Sequence, residues 1–375
     1  MRALLRLTTQ MPDRGTSDRP IDFHRRLPGY AESPLVEAPR LAEMLGVAKV
    51  FVKDETSRFG LPSFKILGAS WATYAALRER LGPPADGPLT YDGLQSWAAP
   101  LRPLTLLAAT DGNHGRAVAR VARWLGLEAR IFIPNFVSPG RRQAIEAEGA
   151  TLMVIDGVYD ASVDAARDAA GGAGTLLISD TARSATDVVP RLVTAGYTTA
   201  FAEVEQQLSR TADDRIDALA VQAGVGGLAS AGTSWARLGR HDRPPRVIVV
   251  EPEPAACVMA ALAAGEPITV SANQDTAMSV LQCGTVSVTA FANLHAGVSC
   301  CLAIEDSWAT TAATELGACG IRTGFSGAAG VAGLLAAFSG PFADPVRQHL
   351  GLFPDARLLA VATESPAASE HAQPA

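Results

Sequence analysis

Positive charge is in deficit in this chain. Lysine and arginine number 32 against 38 acidic residues, for a formal net charge of -6. Aromatic residues make up only 6%, no basic cluster is interleaved with them, and the pairs Arg25-Arg26 and Arg141-Arg142 stand isolated, as solvated side chains do. This balance argues against nucleic acid or an anionic membrane as the main partner. Apolar runs long and glycine-poor enough to span a bilayer are missing. Residues 1–10 hold few apolar side chains and no clear cleavage site, so they do not read as a signal peptide, and a cytoplasmic location is expected. Cysteine is sparse: Cys257, Cys283, Cys300, Cys301 and Cys319 include no Cys-x-x-Cys pair, and no histidine lies at metal-ligand spacing. A zinc site is therefore not expected. Buried thiols are the default, with Cys257 and Cys283 the one conceivable bridge. Core-forming residues are plentiful: 48% of the 375 residues are hydrophobic and 19% charged. That suffices for two domains and excludes global disorder.

The first forty residues are rich in proline and arginine and are expected to wrap over the surface. Residues 50–53 read as a short strand, 65 to about 80 as a helix, and the Pro- and Gly-rich stretch 82–102 as a loop excursion. A regular alternation follows. Residues 104–109 read as a strand, and 115–125 as a helix with Val118, Val121, Ala122 and Leu125 on one face. Next comes a strand at 129–133. Ser138 caps the following helix and Pro139 opens it, in the first turn, where a missing N–H costs nothing. Strands at 151–155 and 175–178 flank a helix at 161–169. After a segment at 184–196 the pattern resumes, with strands at 216–221, 246–251, 301–304 and 357–362. Repeats of this kind predict parallel sheets with helices on both faces. The expected fold class is α/β: two doubly wound parallel-sheet domains, with a ligand in the interdomain cleft beyond the carboxyl ends of the strands.

Three segments carry the chemistry. Ala223-Gly-Val-Gly-Gly227 follows a strand and opens a helix. Its glycines allow close backbone approach, so that several N–H groups converge on a phosphate, and the helix dipole adds to this. A dinucleotide loop would look similar, but G-x-G-x-x-G is incomplete here, although the acidic Glu251 does end the next strand. Thr110-Asp-Gly-Asn-His-Gly115 occupies a second strand-to-helix turn. Asn113 can donate to a ring oxygen, and Gly112 lets the loop close over a substrate carboxylate; an Asx-type helix cap is the plain alternative. His114 alone is weak grounds for catalysis. Lys65 stands in Ser57-Arg-Phe-Gly-Leu-Pro-Ser-Phe-Lys-Ile-Leu-Gly68 at a predicted helix start, an unfavourable place for an ordinary surface cation. Near a phosphate and an aldehyde it becomes useful, because desolvation and positive potential lower its pKa and the neutral amine forms a Schiff base.

Together the three segments resemble the fold-type II pyridoxal-phosphate enzymes, a tryptophan synthase β-like fold, and within them the diaminopropionate ammonia-lyases. The family pattern R-F-G-L-x-[SA]-F-K-x-L-G-[GA]-S stands here as residues 58–70, and T-D-G-N-H-G-R-x-V-A as 110–119. The likeness continues through Gln222–Gly226, Val250–Pro252, Met278–Gly284 and Ser326–Ala328, across most of residues 45–365. It implies pyridoxal 5'-phosphate as cofactor, a small amino acid as substrate, and a homodimer. The expected domains are a large one (1–60 and 192–365) and a small one (61–191), and the Ala/Pro/Ser-rich tail, from Glu364 onward and above all 366–375, is expected to be disordered. Residue by residue, the resemblance makes Lys65 the imine-forming lysine and one base for the α-proton. Asp111 becomes a second base, serving the opposite enantiomer, and Asp180 the carboxylate for the substrate's side-chain amine. Asn113 would contact the ring oxygen. Gly224, Val225, Gly226 and Gly227 would hold the phosphate, and Ser326 would face the ring nitrogen. Asp111, Gly112, His114 and Arg183 fall to substrate binding. The implied activity is α,β-elimination of ammonia from 2,3-diaminopropionate, giving pyruvate and ammonia. Alternatives are β-elimination or β-replacement on another small amino acid, as in serine/threonine dehydratases or cysteine synthase, or a catalytically impaired regulatory homologue. The family's W-E-G-Y after D-T-A is replaced by Arg183-Ser-Ala-Thr186, followed by Asp187, and Phe325 stands where the family has an acidic residue. Arg183 could thus favour an anionic side chain or leaving group.

Overall fold

The structure, a computed structural model, describes residues 1–6, 19–110, 112–157, 159–172, 174–211, 215–239, 243–339 and 343–366. In chain order, β1 (Arg2–Leu5) and α1 (Pro20–His24) precede β2 (Leu35–Glu37), α2 (Pro39–Leu45) and β3 (Lys49–Asp54). Helices α3 (Lys65–Leu81) and α4 (Tyr91–Ala98) lead to β4 (Thr105–Ala109), α5 (Asn113–Leu125), β5 (Glu128–Pro134), α6 (Pro139–Glu146), β6 (Thr151–Ile155), α7 (Tyr159–Ala169) and β7 (Thr175–Leu177). The long α8 (Val188–Leu208) then crosses to β8 (Ala218–Gln222), α9 (Gly227–Leu238), β9 (Arg246–Pro252), α10 (Cys257–Ala264) and α11 (Val288–Gly297). β10 (Val298–Ile304), α12 (Asp306–Ala318), α13 (Phe325–Ser339), α14 (Ala343–Leu350) and β11 (Arg357–Ala362) complete the order.

Two sheets result. The larger runs β1-β10-β9-β8-β11-β3-β2, and the smaller β6-β5-β4-β7. Pairing is parallel throughout except at the two edges of the larger sheet, where β1 and β2 run antiparallel to their neighbours. The central strands are near-continuous aliphatic runs because helices cover both faces: every residue of β8, β10 and β4 is buried. Among the described residues no single helix is long and apolar enough to cross a membrane.

Five expectations need correction. The first forty residues do not simply wrap the surface. They supply both edge strands, and α1 buries Ile21, Phe23 and His24, in runs too short for periodicity to reveal among the arginines and prolines. The excursion at 82–102 contains α4, started by the Thr90 hydroxyl, which accepts from the Gly93 N–H at 3.0 Å. Residues 188–196 are already helix, the first turns of α8. Pro139 does open α6, but the Ser138 side chain makes no capping bond. Cys257 and Cys283 are free thiols, and Cys257 Sγ donates to the Gly224 carbonyl at 3.4 Å.

The contact that places the site is the crossing of α3 on α8. A Cβ on Gly196 would lie 2.4 Å from the Leu67 carbonyl oxygen and 2.8 Å from Gly68 Cα, so only glycine allows the two backbones to approach this closely. Tyr197 covers Gly68 and meets Phe64 edge to face, with ring centroids 4.7 Å apart. Buried His24 fastens the crossing from behind, through Thr199 Oγ1 at 2.7 Å and the Leu67 carbonyl at 3.1 Å. Burial, with the Arg58 charge, pushes its pKa down to about 3, so the ring is neutral. Farther along α8, Glu203 accepts from Lys53 Nζ at 2.7 Å and from Arg58 Nη2 at 2.8 Å, all three side chains being buried. Burial works against the Glu203 charge, but Arg58 and Lys53 outweigh it and hold the carboxyl below the usual carboxylate range. Arg58 begins the loop that delivers Lys65, so this cluster ties that loop and β3 to α8. Gly196→Ala is expected to destabilise the protein by about 1–3 kcal/mol through overpacking. Gly317→Ala on α12, where a Cβ meets open space, should be neutral or stabilising by up to about 1 kcal/mol. Urea denaturation of both variants checks the contrast.

Candidate active site

Lys65 is the first residue of α3, where the helix dipole disfavours a cation. A carboxylate answers it. Asp180, just beyond the carboxyl end of β7, accepts from Lys65 Nζ at 2.8 Å. Burial would raise the Asp180 pKa, but the Lys65 ammonium outweighs it and holds the pKa at about 2, so the carboxylate is ionised at neutral pH. His114, in the first turn of α5, is buried. Its Nε2 lies 2.7 Å from the Ile178 carbonyl, and a carbonyl only accepts, so Nε2 carries the proton. Burial, reinforced by Lys65, lowers the ring's pKa, so Nδ1 is bare. It lies 3.9 Å from Asp180 Oδ2 with no hydrogen-bond partner among the described residues.

The glycine loop follows β8 at the same strand ends. Gly226 has φ +91°, in the left-handed region, and immediately precedes α9. Among the described residues no main-chain acceptor takes the N–H groups of Gly224, Val225, Gly226 or Gly227. Four donors at a helix N-terminus fit a phosphate. A Cβ on Gly227 would come to 3.5 Å from the Tyr197 ring and 3.6 Å from Thr194 Oγ1, so the loop faces the same stretch of α8 that packs on Lys65's helix. Ser287 ties this loop to the Asp180 segment: its N–H donates to the Val225 carbonyl at 2.9 Å, and its hydroxyl accepts from the Ala182 N–H at 3.0 Å.

Asn113 begins α5, and its amide Nδ2 donates to Glu364 Oε2 at 2.6 Å. Ser326 is buried in the first turn of α13, its carbonyl accepting from Gln222 Nε2 at 3.2 Å. Gly112 donates its N–H to Thr110 Oγ1 at 2.9 Å and lies against Arg141, whose Nη2 donates to Ser279 Oγ at 3.4 Å across the cleft. Arg141 is thus not an isolated solvated cation. Asp111 lies outside the described residues. Arg183 is turned away: its guanidinium pairs with Asp164 on α7, both side chains about half exposed. Glu251, the acidic residue a dinucleotide site would aim at a ribose, is buried and accepts from the Val258 and Met259 N–H groups at 2.7 and 2.8 Å. It caps α10 instead. A neighbouring cleft of about 480 Å³, lined by Ser57, Pro62, Arg116, Arg322 and Ser365 among others, flanks the site; neither Lys65 nor Asp180 lines it.

Sequence reading missed Tyr197, Thr194, Ser287 and Glu364. Each is defined by contacts with segments thirty or more residues away, and no local pattern marks them. The Asp180 pKa carries a pH signature. Held at about 2 against an ordinary 3.8, the group adds stability that is complete above about pH 4 and is lost as pH falls toward 2. Asp180→Asn should flatten that part of the acid limb, as read by urea unfolding of the cofactor-free protein from pH 2.5 to 6.

The family model for pyridoxal-phosphate dependent enzymes matches residues 26–345. The diaminopropionate ammonia-lyase of Salmonella typhimurium is 32% identical over 352 residues, covering 91% of this chain and 87% of the relative. The crystal structure of the Escherichia coli diaminopropionate ammonia-lyase in complex with D-serine superposes with a TM-score of 0.85 at 30% identity, over 94% of this chain and 89% of that one. The same enzyme in complex with an aminoacrylate-PLP azomethine reaction intermediate gives a TM-score of 0.82 with the same coverage. This chain belongs to the pyridoxal-phosphate dependent enzymes, alongside the diaminopropionate ammonia-lyases.

Proposed function

We propose that this protein is a lyase that eliminates ammonia from 2,3-diaminopropionate, releasing pyruvate and two molecules of ammonia with uptake of one water. The observation that carries this reading is the Lys65–Asp180 pair at 2.8 Å. It sets an amine for the cofactor beside a carboxylate that stays ionised and can receive a second ammonium.

Bound pyridoxal phosphate supplies the electron withdrawal that makes the α-proton of an amino acid removable. In our reading, Gly224 to Gly227 hold its phosphate through backbone N–H groups and Asn113 addresses its ring oxygen. Ser326 is the residue assigned to the ring nitrogen. Lys65 Nζ would hold the cofactor at rest and, when free, would take the α-proton of one enantiomer. Asp111 is assigned the α-proton of the other. Asp180, freed from Lys65, binds the substrate's side-chain ammonium and stabilises it until it leaves as ammonia. His114, neutral and with a bare Nδ1 toward Asp180, keeps a further positive charge out of that position. The two sheets are taken as the large (1–60, 192–365) and small (61–191) domains, although the limit at 191/192 falls inside α8.

The anionic-substrate alternative depended on Arg183 facing the pocket. Its pairing with Asp164 removes that support, which favours the dicationic substrate over one with an anionic side chain. The purified holoenzyme is expected to release pyruvate from D- or L-2,3-diaminopropionate faster than from serine, threonine or O-substituted serines. Turnover of an O-substituted serine only, or product formation only with an added nucleophile, would move the assignment to another elimination or to replacement. Lys65→Ala should abolish the visible imine band and lower turnover by roughly a thousandfold or more; a retained band rejects the lysine assignment. Asp111→Asn should impair one enantiomer more than the other in the same pyruvate assay, and equal loss on both removes the stereospecific base.

A further inference from the structure

The carboxylate of Glu364 has no part in the scheme above, yet it makes the shortest contact to one of its residues. Oε2 accepts from Asn113 Nδ2 at 2.6 Å, and Glu364 is only 9% exposed. Asn113 is separated from it by 251 residues, so the contact joins the beginning of α5 to the exit of β11. A carboxylate offers acceptors only, whereas a carboxamide has one accepting and one donating end. Glu364 therefore selects the amide rotamer that turns nitrogen, not oxygen, toward it. One N–H is then engaged and the second remains for another acceptor.

The backbone of Glu364 is itself fixed on several sides. Its carbonyl accepts from the Thr323 hydroxyl at 2.8 Å and from the Gly324 N–H at 3.2 Å. It forms an antiparallel bridge with Ser63, two residues before Lys65. On its two sides, the Thr363 N–H donates to the Gly327 carbonyl at 3.3 Å and the Ser365 N–H to the Pro62 carbonyl at 3.0 Å. A Cβ on Gly327 would lie 2.7 Å from the Glu364 carbonyl oxygen, so α13 packs directly on this residue. The carboxylate thus projects from a point referenced at once to the Lys65 loop and to the helix that carries Ser326.

We propose that Glu364 is a positioning residue of the cofactor site, its carboxylate locking the Asn113 carboxamide so that the remaining amide N–H is presented to the cofactor ring. This rests on the reading of the chain as a pyridoxal-phosphate enzyme with Asn113 at the ring oxygen. A residue that only tethered α5 to β11 would affect folding and leave cofactor affinity alone.

The test is equilibrium titration of the cofactor-free protein with pyridoxal phosphate, following the imine band, with the thermal midpoint of the cofactor-free protein as the folding readout. Loss of a charge-assisted hydrogen bond should weaken binding roughly tenfold or more. That loss is expected for Glu364→Ala and for Glu364→Asp, whose shorter side chain cannot reach, while Glu364→Gln keeps an acceptor and should stay within about threefold of wild type. Because Glu364 acts through Asn113, the pair Asn113→Ala/Glu364→Ala should bind no more weakly than Asn113→Ala alone. Unchanged affinity in Glu364→Ala and Glu364→Asp, or a double variant whose loss is the product of the two single losses, overturns the proposal. Should Glu364→Ala fail to fold, Glu364→Asp and Glu364→Gln carry the comparison. Wild-type protein that forms no imine band would sink the underlying cofactor reading instead, so the two failures are distinguishable.

Discussion

Everything at the site is referenced to one steric constraint, the approach of α3 to α8 at Gly68 and Gly196. Neither position tolerates a Cβ without a shift, since a Cβ on Gly68 would sit 2.5 Å from the Tyr197 ring and one on Gly196 would strike the Leu67 carbonyl. Because the helices are this close, the first residue of α3 is brought beside Tyr197, and Tyr197 also faces Gly227 in the loop after β8. One helix therefore sets the spacing between the amine and the phosphate-fitting donors. The buried Lys53–Glu203–Arg58 cluster holds the far end of the same helix. Such clusters lend little net stability, because desolvation offsets much of the attraction, but removing one partner leaves an unpaired buried charge. Its contribution here is geometric: it fixes where the loop to Lys65 begins.

A half-buried ammonium needs a counter-charge, and Asp180 provides one whose attraction and desolvation are both on the order of several kcal/mol. The attraction wins, since the Asp180 pKa lies at about 2, below the ordinary 3.8. A carboxylate bound too favourably by Lys65 would not release it, and one left without any cation would rise in pKa and protonate. In the reaction we propose, exchange of the Lys65 ammonium for a substrate ammonium would leave the ion count around Asp180 unchanged, so the step would avoid exposing an uncompensated charge. His114 contributes by what it does not do. With its proton committed to the Ile178 carbonyl and its ring neutral, it places a lone pair, not a second cation, toward Asp180.

What the sequence disclosed was whatever is local. The strand-to-helix turns at Asn113 and Gly224–Gly227 and the helix opening at Lys65 could be read because backbone-rich loops and helix starts have short signatures, and the parallel core strands because aliphatic runs buried on both faces need no partner to be recognised. The edge strands β1 and β2 were hidden by their brevity. Helix α4 was hidden by the Pro- and Gly-rich composition around it, although Thr90 and Gly93 did carry a capping signal. Glu364, Tyr197, Thr194 and Ser287 acquire their roles only when distant segments meet. Even the acidic Glu251, at the spacing of a ribose-binding residue, is spent on the N-terminus of α10, a use that spacing cannot distinguish.

The segment after Asp180 shows how a changed motif can leave the chemistry of a site intact. Arg183-Ser-Ala-Thr186 departs from the W-E-G-Y expected from the family resemblance, and on sequence alone the cation reads as a new specificity. Here Asp187 accepts from the Arg183 and Ser184 N–H groups at 3.0 and 3.3 Å and from Arg167 Nη2 at 3.2 Å, closing the segment into a turn before α8. The Arg183 guanidinium then goes outward to Asp164. The charge is neutralised at the surface of the smaller sheet's helical layer, where water screens what remains. The carboxylate directed at Lys65 is still Asp180, ionised and opposite an amine. On our reading, a ligand with two ammonium groups is still met by that carboxylate. On our reading, any change in preference comes instead from shape, at positions such as Phe325, an apolar ring at the start of the helix that carries Ser326.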